Sequence, residues 1–520
     1  MKKTPGHPAR HQEVAVIGGG LGGLATAIRL AHAGFSVSLY EKNQRIGGKM
    51  NEHRQAGFRF DTGPSLLTMP FVIDNLFEDL GLDRRQYLDI QPIDPLCRYV
   101  WPDGQQLDAS ANLEKMQEAI AAISPDDARR YPDFLDYSRR IYEVTGRIFL
   151  ETAIHEPAKL FSGENISRFL KFYQIDPLRT VDQGIRRFFK DPKIIQLFNR
   201  YATYNGSNPF RAPATLNIIS WVEYGLGGYY IRGGMYRLVE VLGELAQQLG
   251  VRIHTGTAVE KILHHRGRVT GVHIAGEKVT ADVVVCNADV VEAHRTLMDG
   301  VDGRRKRLEK LEPSISGMVF LWGVEGNFPE LAHHNIFFSG DYHREFDRIF
   351  EDREIPHDPT IYLAVTSKTD RDHAPGKAEN WFVLLNMPYL NEGQNWDLAT
   401  RRMREVVLRR FREMGIDLAP RLVTESVFTP ETFQETYASN RGSIYGISSN
   451  NRSTAFKRPA NRSRDVEGLY FTGGSSHPGG GIPLVLLSGK ITAGLILEKA
   501  GKRVQVAPGQ IERPAAAAML

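Results

Sequence analysis

Gly18, Gly20 and Gly23 stand at G-x-G-x-x-G spacing, and an acidic residue, Glu41, follows eighteen positions after the last of them. Residues of these types make and break no bonds; they bind a nucleotide. Gly18 permits a tight turn, Gly20 lets the backbone approach a pyrophosphate, and Gly23 lets a helix pack closely on a strand. The helix that begins there offers free N–H groups and the positive end of its dipole to phosphates. A carboxylate at the distance of Glu41 meets a ribose hydroxyl. The rest of the chain has no nucleophile elbow, no H-E-x-x-H and no Cys/His cluster spaced for a metal, so no metal site is expected.

Such glycines work only if regular elements hold them. The pattern predicts a strand over residues 14–17, an apolar helix over 24–33 and a second strand over 36–40 that delivers Glu41. A glycine triplet alone is compatible with an ordinary turn. Strand, helix, second strand and carboxylate in register make it a dinucleotide site.

The continuation Arg45-Ile46-Gly47-Gly48-Lys49 adds a family likeness. It resembles the FAD enzymes of the amine oxidase and phytoene desaturase superfamily, in which an R-x-G-G-[RK] run follows the acidic residue and wraps the flavin pyrophosphate. The resemblance implies FAD as cofactor, with Lys42, Arg45, Gly47, Gly48 and Lys49 joining Gly18, Gly20, Gly23 and Glu41 in holding it. The block GFRFDTGPS at 57–65 resembles the segment that passes beside the flavin ring in phytoene desaturases, which would place Gly63, Pro64 and Ser65 there. Asp61 in that block reads equally as a cofactor contact or as a turn-stabilising carboxylate. By the same resemblance the main chain of Val259 pairs with the adenine. Gly473, Gly474, Gly480, Gly481 and Ile482 then form a second glycine turn at a helix start, suited to holding an anion or a flat ring against backbone N–H groups.

Length and composition set the frame for these motifs. A chain of 520 residues with 42% hydrophobic content is expected to fold as two or three domains. A net charge of +4 from 65 basic and 61 acidic residues is small for this length and gives no argument for nucleic acid. It fits weak attraction to an anionic membrane surface as well as an ordinary solvated face. Two cysteines, Cys97 and Cys286, cannot build a disulfide framework and read as core thiols. The basic N-terminus lacks the apolar segment of a secretory signal, and the longest apolar run, 484–497, is interrupted by Lys490. The expected location is cytoplasmic, with peripheral association to the cytoplasmic membrane.

The whole reads as an α/β fold: a Rossmann-like FAD-binding domain built from discontinuous segments 13–75, 235–305 and 461–502, an α+β substrate domain from 76–104 and 306–460, and a helical, membrane-facing region over 105–234. Residues 1–12 and 503–520 read as flexible tails. Helices are predicted over 70–80, 235–249, 400–414 and 484–500. A β-meander over 251–254, 259–264, 269–274 and 279–287 leads back to the parallel sheet, and strands are expected at 318–324, 360–365 and 381–386. In the helical region Phe161, Phe169, Phe172 and Tyr173 beside Lys159, Arg168 and Lys171 read either as a core stripe or as an amphipathic membrane-facing surface.

The segments 445–450 and 470–484 bring the resemblance closest to the hydroxycarotenoid 3,4-desaturases and the terminal-methyl carotenoid oxygenases, and blocks at 331–338, 358–362 and 429–430 extend it over essentially the whole chain. The resemblance implies FAD-dependent desaturation of an acyclic carotenoid of the phytoene, neurosporene or hydroxycarotenoid type, by hydride transfer to the flavin. Terminal-methyl oxygenation or cis-trans isomerisation on the same scaffold is the alternative, and a non-catalytic prenyl-lipid escort a third reading. Taking two hydrogens from a neutral polyene needs positioning and exclusion of water more than a strong base. Family analogy points to Asp136 and Arg139 as polar residues near the reacting end, whereas their i,i+3 spacing also makes an exposed helix ion pair. His333 and His334 read as structural. With no second dinucleotide fingerprint, a quinone or O2 is the expected electron acceptor.

Overall fold

The computed structural model describes residues 12–146, 155, 172–451 and 458–502. Its organising layer is a five-stranded parallel sheet in the order Leu469–Phe471, Val283–Cys286, Glu13–Ile17, Ser36–Tyr40 and Arg252–His254. From the central strand, Glu13–Ile17, the chain moves to one side through Ser36–Tyr40 and only much later fills the other side. That reversal opens a crevice at the carboxyl ends of the strands, where doubly wound sheets bind ligands. All four residues of Val283–Cys286 are buried, as expected of a parallel strand covered on both faces.

Alternate side chains of these strands enter two cores. Val14, Val16, Val37, Leu39 and Val285 pack with the helices Leu21–His32, Arg237–Gln248 and Ile482–Lys499. Ala15, Ile17, Val284 and Cys286 pack with a three-stranded antiparallel layer, Val259–His265, Arg268–Ile274 and Glu277–Thr280. Each fully buried aliphatic side chain stabilises by about 1.5–3 kcal/mol. The helices Leu21–His32 and Ile482–Lys499 touch nearly backbone to backbone: a Cβ on Gly489 would stand 2.8 Å from the Ala25 Cβ and 2.9 Å from the Gly22 oxygen.

Several boundaries differ from the sequence expectation, for local reasons. The first helix starts at Leu21, three residues early, because Gly22 and Gly23 lie inside it and not before it. The run 279–287 is two strands: Asp282 breaks it, its N–H donating to Glu13 O at 2.9 Å and its Oδ2 accepting from Glu13 N at 3.0 Å. The run at 251–254 leaves the meander and pairs with Ser36–Tyr40. Trp396–Glu413 begins a turn before the predicted helix because Asn395 caps it, accepting from Leu398 N.

The second sheet has seven strands in the order Leu422–Phe428, Ser316–Val324, Glu379–Met387, Ile361–Ala364, His334–Phe337, Cys97–Val100 and Gln106–Ala109. Met318, Phe320, Trp322 and Val383 bury one face against Met403, Val407 and Phe411 of Trp396–Glu413. Val319 and Phe382 belong to the opposite face, which packs on Phe58 and Phe60. The helical region is built on the helices Leu113–Ala121, Pro125–Thr145 and Pro192–Asn199, around Tyr131, Phe134, Phe189 and Phe198; Phe134 and Phe198 have ring centroids 4.6 Å apart. Lys159, Phe161, Arg168, Phe169 and Lys171 lie outside the described residues, as do the Phe172 and Tyr173 side chains and both expected tails from 1 to 11 and 503 to 520. Among the described residues no helix is long and apolar enough to cross a membrane. Cys97 and Cys286 are both buried, and burial pushes each thiol up to about 12.

Candidate active site

A cavity of about 770 Å³ runs from the crevice of the parallel sheet to the open face of the second sheet. Of the residues expected to hold the cofactor, Gly18, Gly20, Glu41, Lys42, Gly47, Gly48, Lys49, Gly63, Pro64, Ser65, Val259, Gly473, Gly474, Gly480, Gly481 and Ile482 line it; Gly23 and Arg45 do not. Gly23 acts from behind the wall, since a Cβ there would stand 2.2 Å from the Gly18 oxygen. Arg45 turns away to pair with Glu52 at 3.3 Å and to lie over the Tyr236 ring.

At the crevice, Gly18 turns with φ +93° and donates its N–H to Tyr40 O at 2.8 Å. Gly20 precedes the helix Leu21–His32 without a capping side chain, and the first turn contains no acidic residue, so its amides face the cavity end uncompensated. Glu41 also has a structural task. Its Oε2 accepts from Gly19 N at 2.8 Å and its Oε1 from Asn43 N at 2.9 Å. A carboxylate has about four lone-pair sites, which leaves capacity for a ribose hydroxyl. Gly47 and Gly63 bring the following segments close: a Cβ would stand 2.3 Å from Met50 O on the first and 1.9 Å from Lys49 O on the second.

Asn287, unremarked in the sequence, ties the two glycine turns together. It donates from Nδ2 to Gly18 O at 3.2 Å, and its Oδ1 lies where a Cβ on Gly473 would be, 2.4 Å away. Arg458 holds the same C-terminal turn by donating to Tyr445 O at 3.2 Å and Gly474 O at 3.4 Å. Lys49 Nζ donates to Ser443 O at 3.1 Å and Ile444 O at 2.7 Å; burial pushes its ammonium down to about 8, against the pull of Asp289. Asp61 is a turn-stabilising carboxylate. It pairs with Arg59 at 2.8 Å and accepts from Met235 N and Tyr236 N, and it does not line the cavity.

The far chamber combines apolar walls, Leu96, Val319, Ile336, Phe382 and Leu384, with buried polar groups that sequence reasoning passed over. Arg200 pairs with Glu223 at 3.0 Å and donates to Tyr99 Oη at 2.7 Å and Tyr201 Oη at 3.1 Å. Tyr201 Oη donates to Glu223 at 2.9 Å, and Tyr204 Oη donates to its other oxygen. Tyr362 Oη bridges Ser65 Oγ and His334 Nδ1. Burial, with His333 and Arg200 nearby, holds the His334 imidazole neutral, well below its ordinary value.

Asp136 and Arg139 are not brought to this cavity. They pair on a half-exposed face of the helix Pro125–Thr145, where Arg139 also reaches Glu143 at 2.6 Å and Arg140 reaches Asp136 at 3.0 Å.

A glycine-walled crevice at a topological switch point, roofed by a second sheet, defines a dinucleotide-binding protein. Residues 21–497 match the family described as flavin containing amine oxidoreductase, and the chain belongs to that family. The cradle fits its cofactor, FAD, because backbone and Cβ-free glycines occupy the places where side chains would fill the dinucleotide path. The chain is 40% identical over 489 residues to a 1-hydroxycarotenoid 3,4-desaturase of Flavobacterium sp., covering 93% of this chain and 99% of the relative. It is 38% identical to a 4,4'-diapolycopene oxygenase of Methylomonas sp., covering 92% and 97%. Among solved structures, an oxidoreductase from Methanosarcina mazei shares the fold with a TM-score of 0.61 at 15% identity, covering 94% of this chain and all of that one.

Proposed function

We propose that the chain is an FAD-dependent desaturase of an acyclic carotenoid. The observation that supports this best is the continuity of the cavity, which joins the dinucleotide cradle to an apolar chamber without an intervening wall. When bound, FAD supplies a two-electron acceptor. Gly18, Gly20, Glu41, Lys42, Gly47, Gly48, Lys49, Val259 and the turn from Gly473 to Ile482 would hold the dinucleotide, and residues 63–65 would lie beside its ring. Val319, Ile336, Phe382 and Leu384 would grip a polyene and exclude water, so that the reacting carbons are positioned with no strong base required. Supplying an expressing cell with phytoene, neurosporene, lycopene or a hydroxylated acyclic carotenoid tests the reading: a longer chromophore in the recovered pigment is expected. An unchanged pigment beside flavin-loaded protein would overturn it. The name of the Methylomonas relative favours one second reading, oxidation of a terminal methyl, for which a new aldehyde is the expected product.

The assignment of Asp136 and Arg139 to the reacting end gains no support from their surface pairing. Arg139→Ala is expected to keep its flavin, to turn over within about threefold of the parent, and to lose at most about 1 kcal/mol, the worth of an exposed pair. Loss of turnover with flavin retained would return Arg139 to the mechanism.

Lys49 makes cofactor binding pH-dependent. Below about 8 its ammonium is already charged in the empty site, held against Ser443 O and Ile444 O in the cavity wall, and would attract the anionic cofactor. Above that value each binding event must take up a proton, so FAD affinity is expected to fall by up to about tenfold per pH unit. Titration of flavin fluorescence from pH 6.5 to 9.5 reads this, and Lys49→Met should bind more weakly with a flat profile.

With one fingerprint only, a quinone or O2 is the electron acceptor, and a hydrophobic substrate calls for peripheral docking on the cytoplasmic membrane. A vesicle flotation assay reads the docking directly.

A further inference from the structure

A second pocket, of about 360 Å³, lies apart from the cavity described above and is lined by Tyr137, Arg140, Gln174, Asp176, Arg179 and Arg187. Tyr137 and Arg140 stand one turn apart on the helix Pro125–Thr145, and the other four flank the short helix Val181–Ile185. Phe188 braces the wall: its ring centroid is 5.2 Å from that of Tyr137, and the Arg187 guanidinium lies over it at 5.6 Å. Asp176, 7% exposed, is the anchor. Its Oδ2 accepts from Tyr137 Oη at 3.0 Å and lies 3.7 Å from Arg187 Nη1, while its Oδ1 accepts from Arg179 Nη1 at 3.1 Å. Its backbone is left-handed, with φ +48°, immediately before Pro177, a costly conformation at that place. Strain of this kind persists only where surrounding contacts over-determine it, and it clusters where ligands are held.

The arginines outnumber the acids that answer them. Arg179 and Arg187 share Asp176, and Arg140 pairs with Asp136 at 3.0 Å. Arg139 also reaches Asp136 but is balanced by Glu143. Three guanidinium groups thus face two carboxylates, a surplus of one positive charge, which a phosphodiester monoanion would neutralise. A guanidinium has five N–H donors, and the pairings named here engage one nitrogen of each, so donors remain for phosphate oxygens, whose geometry the arginine fork matches. All three side chains are half-exposed, so a ligand reaches them from outside without unfolding the wall. Beside Arg179, Leu178 is 72% exposed, the most exposed of the large apolar side chains among the described residues. A free phosphate ion gains nothing from such a neighbour. A lipid does, because its acyl chains receive the leucine while the arginines hold the headgroup.

We propose that this pocket binds the phosphate of an anionic lipid headgroup through Arg140, Arg179 and Arg187, with Leu178 inserted beside it, and so docks the chain on a membrane. The inference rests on the peripheral-docking reading and deepens it by naming the face and the lipid chemistry. Asp176 and Tyr137 are positioning residues in this account: the first sets two of the guanidinium groups, and the second fixes the carboxylate.

The test is flotation of the flavin-loaded protein with vesicles of phosphatidylcholine alone and of phosphatidylcholine mixed with phosphatidylglycerol, with conversion of a carotenoid carried in the vesicles measured in parallel. The parent should bind the phosphatidylglycerol vesicles at least about tenfold more tightly. Arg179→Gln with Arg187→Gln should lose most of that preference, and Arg140→Gln alone, which leaves Asp176 paired, should lose about threefold to fivefold. Arg401→Gln with Arg409→Gln removes the same charge from the exposed side of the helix Trp396–Glu413 and should stay within about twofold of the parent. Leu178→Ser should weaken binding to both kinds of vesicle. Flavin content and circular dichroism should match the parent in every variant. Equal binding of the parent to the two vesicles, or a loss in the Arg401 and Arg409 control as large as in the pocket variants, would overturn the proposal. If millimolar inorganic phosphate protects the parent against heat through the same arginines while the two vesicles bind alike, the pocket serves a soluble phosphate and the lipid assignment falls. No flotation with any vesicle sinks the docking reading and the proposal together, and docking that survives loss of the arginines sinks the proposal alone. Arginine-dependent docking without conversion of the pigment supports the proposal and sinks only the desaturase reading.

Discussion

Gly20→Val should yield a folded protein without flavin. Gly20 has φ −72° and ψ 171°, extended backbone that valine adopts without strain, so the fold has little reason to fail. The added Cβ stands 2.8 Å from Asn287 Nδ2, at the junction of the two glycine turns, so that amide must shift, and the two methyls beyond it add bulk to the cavity wall that Gly20 lines. The measurement is flavin released per mole of purified protein, with circular dichroism to verify the fold. Flavin content is expected to fall to nearly zero, and thermal stability to drop by the linkage term of the lost ligand, about 2.7 kcal/mol where the parent is held at a hundred times its Kd. A yellow variant would contradict the place of Gly20 in the cradle. Gly23→Val makes a useful contrast, because its Cβ meets the Gly18 oxygen at 2.2 Å and the damage there falls on the backbone itself.

Removing Glu223 is expected to cost more stability than any other single change in the chamber. Its side chain is 1% exposed and that of Arg200 is 9% exposed, and the Tyr201 and Tyr204 hydroxyls also donate to the carboxylate. Glu223→Leu leaves a guanidinium buried without its counter-charge, a loss of about 3–5 kcal/mol. Replacing both partners, Arg200→Met with Glu223→Leu, should recover much of it, since an apolar pair of similar volume escapes the desolvation of both ions. The signature is therefore non-additivity in the denaturation midpoints, with the double variant more stable than Glu223→Leu alone. If the single variants are mild and simply add, the cluster does not act as one network.

The part of the site that could be read from the sequence is the part in which backbone geometry dictates residue type. Gly18 needs a positive φ, Gly63 tolerates no Cβ beside Lys49, and Glu41 follows its strand by a fixed count. The α/β class and the return of the C-terminal segment were legible for the same reason. What escaped were side chains whose roles depend on partners distant in sequence or on burial. Asn287 meets Gly18 at a separation of 269 residues, and no local pattern marks it. Arg200 and Glu223 sit in helical segments where a cation and a carboxylate read as surface residues. His334 read as structural because nothing in its neighbourhood announces that its ring would join the cavity wall, bonded through Nδ1 to Tyr362. Asp136 and Arg139 show the converse: an i,i+3 spacing that is fully explained on the helix surface drew attention through likeness, and the geometry does not carry it to the cavity.

The close crossing of Leu21–His32 and Ile482–Lys499 has a bearing on biosynthesis. Thr26 Oγ1 reaches the Gly489 oxygen at 3.4 Å across 463 residues of sequence, and Leu469–Phe471 completes the sheet that the first strand began. On the ribosome the glycine fingerprint emerges well before Ile482–Lys499 and waits, with that helix face bare, until its partner has been made. The full cradle thus exists only once the segment from Leu469 to Lys499 has emerged, and a nascent chain stalled before Leu469 lacks an edge strand of the sheet and the second glycine turn.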